Sequence, residues 1–316
     1  MSATVDDSAP AKNGNVLRSR WVGIALILTI GALLALVYSS LLVWLGRTAL
    51  RTSQLHTGGL LVLFAIAICL RDALGRLRIQ PNLNTDGLGL LALALSCLWM
   101  GAHWKSLALP LVLFSFCLSF AAVISMLFGT LGVRMFLPAL GAFLVFGLLV
   151  GLFPSLDWPL REIAARQSAS LLTWMDVPVK LALIPSRPPE LWLAVNRRIF
   201  VVATECNGFG LLTSSLLLAT ILAFQYQFRW ARKIGLFGFA ILAAIVFNFL
   251  RIVSICLVVP RTQLPYEFVH EGLGTIFYVA GLALVWFAAG PHSSPKPPAA
   301  EPEKKQEPAL TGAHHG

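Results

Sequence analysis

The chain is 316 residues long, 57% hydrophobic and 12% charged, against about 25% charged in an ordinary soluble domain. With a mean hydropathy of +0.79, this excludes a soluble globular protein. The net charge of +10 does not make a nucleic-acid binder, because the cations lie in short segments between apolar runs, with no basic stripe carrying aromatics. Five cysteines show no CxxC pair and no histidine at zinc-finger spacing, so neither a disulfide framework nor a zinc finger is implied.

A helix crosses a bilayer in about 20 apolar residues. Eight runs qualify, at 20–45, 57–71, 86–100, 106–128, 135–153, 207–225, 235–259 and 273–290. The fold class expected is therefore all-α, a polytopic membrane protein of about eight transmembrane helices with one sizeable outer loop at 154–206. Residues 1–19 form a cytoplasmic N-terminal tail and 20–290 the transmembrane domain. The Pro-, Lys- and Glu-rich stretch 291–316 is expected to be a disordered cytoplasmic tail. The first run has no small-residue cleavage site before polar sequence and reads as an uncleaved anchor.

Lys and Arg counts set the orientation. With the N-terminus inside, the inner segments carry thirteen, and the short outer loops carry Arg47, Arg51, Lys105 and Arg261. Both termini are then cytoplasmic. Within the outer loop, Arg161 to Met175 has helical apolar spacing at Ile163, Leu171 and Trp174 and predicts an interfacial helix, broken by Asp176-Val-Pro. Pro185 to Pro189 predicts a turn, and Arg198 to Ala203 an extended run that reaches Cys206.

Cys206, Asn207 and Gly208 precede an apolar helix. A helix N-terminus offers a positive dipole end and unsatisfied N–H groups, which favour a thiolate and can receive an oxyanion. Gly208 allows close approach of a substrate backbone. A lone membrane cysteine is more often a small hydrophobe, so its partners decide the matter. Asn248 and Arg251 share a helix face at a spacing of three inside an apolar run. Asn248 can hold the guanidinium fork, and an intramembrane Arg points to function. The bland reading is a structural Arg paired to a carboxylate or a helix C-terminus. His270 opens the last span, where an imidazole can move protons near neutral pH. Glu267, three residues before it, can orient the ring. Glu205, Glu267 and Glu271 with His270 fit no zinc motif, so no metal and no cofactor is expected.

Taken together, Cys206-Asn207-Gly208, the Asn248 to Arg251 block and His270-Glu-Gly-Leu-Gly resemble the exosortase/archaeosortase family of membrane-embedded cysteine transpeptidases. The likeness covers most of the chain from about Phe153 onward and the multi-span layout before it. The family pattern has Ser where Asn207 stands. The resemblance implies processing of exported proteins at a C-terminal sorting signal of the PEP-CTERM type: a short motif, a transmembrane helix and a basic cluster. It implies catalysis by Cys206, Arg251 and His270 through a thioester at the outer face of the cytoplasmic membrane. The partners implied are those tagged proteins and membrane lipid, with no nucleic acid. Two other readings stay open: a non-catalytic transporter or assembly factor for exported polysaccharide using Arg251 to bind an anion, and a degenerate family scaffold. A transporter would spread polar residues through both halves, and the first five runs are almost free of buried charge.

Overall fold

The computed structural model describes residues 12–74, 76–77, 84–185, 190–195, 198–202 and 204–290. The tail from 291 and residues 186–189 of the expected turn lie outside them, as does Ala203.

Tyr38 breaks the first apolar run. It is 3% exposed, its hydroxyl lies 2.6 Å from Ser115 Oγ and 2.9 Å from Ser119 Oγ, and its ring meets Phe116 edge-on at 5.2 Å. A buried phenol needs polar partners. The serines that supply them lie outside the run, so the chain turns where the ring is pinned. Helices α1 (Lys12–Val37) and α2 (Ser39–Arg51) consequently meet at 75°. The single span expected at 20–45 is corrected to a bent pair.

Helices α3 (Ser53–Leu74) and α4 (Thr85–His103) cover the next two runs. Asn84 caps α4, its Oδ1 accepting from the Gly87 N–H at 2.9 Å. Helix α5 (Ala108–Trp174) reverses at Gly129, whose φ of 69° and ψ of −170° suit only a residue without a Cβ. Beyond that point its two limbs lie side by side, Leu113 against Gly147 and Leu109 against Gly151. The runs expected at 106–128 and 135–153 are these limbs.

The second limb continues past the apolar run, carrying the helix expected at Arg161 to Met175. Arg161–Asp157 and Arg166–Glu162 pairs at a spacing of four support it. It stops at Trp174, and Asp176 takes a positive φ of 58°.

A small antiparallel sheet follows, in the order β1 (Val179–Ile184), β2 (Glu190–Val195), β3 (Arg198–Val201), with Ile184 paired to Glu190 and Val195 to Arg198. Only the third strand was expected from sequence. In β2 every second residue (Leu191, Leu193, Val195) is buried, packed with Ala164, Ala165 and Leu172 of α5. The sheet is thus a lid of one apolar face on a helical protein.

Helices α6 (Phe209–Gln225), α7 (Trp230–Val258) and α8 (Tyr266–Ala289) complete the described residues. Among the described residues, five helices are long and apolar enough to cross a membrane, six if the bent pair is one span, with α5 counted once and the 17-residue α6 left out. The protein is a multi-pass, predominantly helical membrane protein.

Candidate active site

The chain reaches Cys206 by a tethered route. After β3, the Val202 N–H donates to the Leu191 carbonyl at 2.8 Å, and a single 3-10 turn spans Thr204–Cys206. Gln54, in the first turn of α3, donates its Nε2 to the Thr204 carbonyl. The Asn207 N–H closes the turn on the same carbonyl at 3.2 Å. Cys206, 7% exposed, therefore sits ahead of α6, two residues before its N-cap, Gly208.

Asn207 is held by both ends of its amide. Its Oδ1 accepts the Phe209 N–H at 2.7 Å, and its Nδ2 donates to Asp157 Oδ1 at 2.7 Å. Asp157 Oδ2 pairs with Arg161 Nη2 one turn on. An N–H of the α6 terminus expected to receive an oxyanion is thus already satisfied by Asn207, because a buried donor takes the nearest acceptor.

Gly208 has a positive φ of 77°, and a Cβ there would lie 2.6 Å from Asn248 Cγ. The close neighbour at this position is Asn248. Asn248 is 5% exposed and donates Nδ2 to the Cys206 carbonyl at 2.9 Å. A carbonyl only accepts, so the amide orientation follows from the partner. This tie from α7 to the cysteine turn is additional to the part read for Asn248 in sequence.

Helix α7 turns Arg251 toward α8. Its Nη2 lies 3.2 Å from His270 Nε2, and that same Nε2 lies 3.6 Å from Cys206 Sγ. Three residues spread over 65 positions of sequence meet at one imidazole nitrogen. Guanidinium N–H groups only donate, so Nε2 is the acceptor in this arrangement and the neutral ring carries its proton on Nδ1. Gly274 faces the guanidinium, where a Cβ would come within 3.0 Å of Nη2. Glu267 lies in the first turn of α8 and is exposed.

Sequence reasoning missed Tyr266, which stacks on His270 with ring centroids 5.5 Å apart and meets Phe200 at 6.5 Å. It also missed Gln54 and the Asp157–Arg161 pair. The pair had a visible signal, opposite charges four apart beside an apolar run, whereas Gln54 joins the site only through the packing of α3.

A family model for transmembrane exosortases matches residues 50–287. The chain belongs to the transmembrane exosortase family. The exosortase match takes in every residue of the cluster and its tethers, and leaves out α1 and nearly all of α2. Among curated proteins and among solved structures, nothing matches this chain.

Proposed function

We propose that this exosortase cleaves exported proteins at a C-terminal sorting signal, with Cys206 as nucleophile, His270 as proton carrier and Arg251 as oxyanion partner. The observation that carries the reading is the convergence of Cys206 Sγ and Arg251 Nη2 on His270 Nε2, at 3.6 and 3.2 Å. A nucleophile within reach of a base, with a fixed cation beside both, is the arrangement acyl transfer needs.

The arrangement implies an order of events. Arg251 occupies Nε2 at rest, so His270 takes the thiol proton there only once the guanidinium has moved to another acceptor. The carbonyl oxygen of an arriving substrate is that acceptor. Sγ then attacks the carbonyl carbon, a C–S bond forms, and the π pair moves to the oxygen beside Arg251. As the tetrahedral state collapses, the C–N bond breaks and His270 returns its proton to the leaving amine, which leaves a thioester. Water or an amine nucleophile releases the acyl group.

The substrate class is a short motif followed by an apolar helix and a basic cluster, as in PEP-CTERM tails. The site faces the outside of the cytoplasmic membrane, with both termini cytoplasmic, as the Lys and Arg distribution supports. Eight crossings accommodate this: the bent pair, α3, α4, the two limbs of α5, and α6 to α8.

The deciding experiment co-expresses the full chain with a reporter ending in such a tail. Cys206→Ala is expected to insert normally and leave the reporter uncut. Normal processing by that variant, with anion binding lost in Arg251→Ala, would overturn the enzymatic reading in favour of a binding or transport role.

A further inference from the structure

Among the described residues, three cavities that border the cluster differ in size. One beside Asn207, Gly208 and Asn248 and one between Cys206, Cys256 and Tyr266 have volumes of about 20 Å³ each, little more than a single water needs. The third has a volume of about 150 Å³ and lies between α3, α6, α7 and α8. Among these three, it alone has room for a side chain.

This larger cavity is joined to the chemistry through its own wall. Arg251 and Asn248 line it, and these are the residues that reach His270 Nε2 and the Cys206 carbonyl. Gln54 and Thr57 close the α3 side and Tyr278 the α8 side, while Phe247 and Phe277 supply an apolar floor. From His270 to Phe277 is seven residues, so the cavity runs up to about 10 Å from the cluster into the bundle. A substrate carbonyl carbon at Sγ, with its oxygen turned to Arg251, puts the neighbouring residue at the mouth of this space.

We propose that the cavity is the subsite for the substrate side chain adjoining the scissile bond, and that it selects a neutral polar or acidic side chain against Lys and Arg. The inference rests on the reading of Cys206 as nucleophile. The amide and hydroxyl groups of Gln54, Thr57 and Tyr278 would hydrogen-bond a polar side chain, and the aromatic floor would pack its stem. The Arg251 guanidinium in the wall repels a second cation. The rejection is therefore electrostatic, and the size limit is steric.

The test uses the full chain in lipid nanodiscs, a reporter with the C-terminal tail described above, and iodoacetamide as a small thiol probe. Thr57→Trp fills the cavity from its α3 wall and replaces no residue of the Cys206–Arg251–His270 cluster. It is expected to slow reporter cleavage by about tenfold or more while iodoacetamide labels Cys206 at the wild-type rate. Placing Lys next to the cleavage point of the reporter is expected to do the same to the wild-type enzyme, and Gln there to be accepted. Wild-type cleavage by Thr57→Trp, or acceptance of Lys, overturns the subsite. Cleavage surviving in Cys206→Ala instead overturns the nucleophile reading, so the two failures are distinct. Should Thr57→Trp not insert, Phe277→Ala carries the test: it enlarges the floor and is expected to admit bulkier neighbours, and an unchanged preference counts against the proposal.

Discussion

The two ends of the helical bundle use arginine in opposite ways. Helices α3 and α6 both start at the Cys206 end and run away from it for 22 and 17 residues, roughly 33 and 25 Å. At their far end lies a cavity of about 280 Å³ lined by Arg76, Arg134, Gln225 and Gln227. Arg76 and Arg134 are exposed and form no ion pair among the described residues. At the Cys206 end, Arg161 is 14% exposed, pairs with Asp157 and through it reaches Asn207, while Arg251 reaches His270. Burial is the difference. A guanidinium in water needs no specific partner, and a surface ion pair contributes about 0–1 kcal/mol. Removed from water it must be hydrogen-bonded, and the groups that satisfy it become fixed in position. One end therefore carries exposed cations and the other a defined constellation.

Substitutions can break that contrast, in descending order of effect. Cys206→Ala is expected to abolish reporter cleavage with membrane insertion unchanged, measured by immunoblot of the processed and unprocessed forms. Arg251→Lys keeps the charge and loses the planar fork, and is expected to cut the cleavage rate by about 10²–10³-fold, the usual consequence of removing an oxyanion donor. Single-turnover kinetics check it, and a wild-type rate would show that charge alone suffices. Asn207→Ala removes the acceptor for the Phe209 N–H and the donor to Asp157. It is expected to cost about 1–3 kcal/mol of stability, seen as a lower melting temperature in detergent, with Asn207→Ser recovering part of it because a hydroxyl replaces one of the two bonds. At the far end, Arg134→Ala is expected to stay within about 0.5 kcal/mol of wild type and to leave cleavage unchanged. A large effect there would mean that the two ends are coupled.

Some of what sequence missed was written in it. Glu190-Leu-Trp-Leu-Ala-Val is a short apolar run bounded by Pro189 and Asn196, a strand signal, and β2 buries every second residue of it. In a chain dominated by long apolar runs, six such residues are easily absorbed into a loop. The bend at Tyr38 was not legible in the same way, since the reason for it lies in Ser115 and Ser119, far along the chain. Gln54 is similar: an ordinary polar residue at the start of an apolar run joins the site only because α3 packs where Thr204 passes.

Composition alone settled that this is a multi-pass membrane protein, because apolar runs of this length have no other low-energy home. Local motifs settled which residues carry reactive groups and in what order. The tertiary structure decided who holds whom. It gave Asn248 to the Cys206 carbonyl, Asn207 to Asp157 and Phe209, and Arg251 with Cys206 to one nitrogen of His270. Those pairings join residues 19 to 64 positions apart, apart from the local bond to Phe209. Hydrogen-bond partners at that range are set by helix packing and the demand that buried polar groups be satisfied, neither of which a linear spacing encodes.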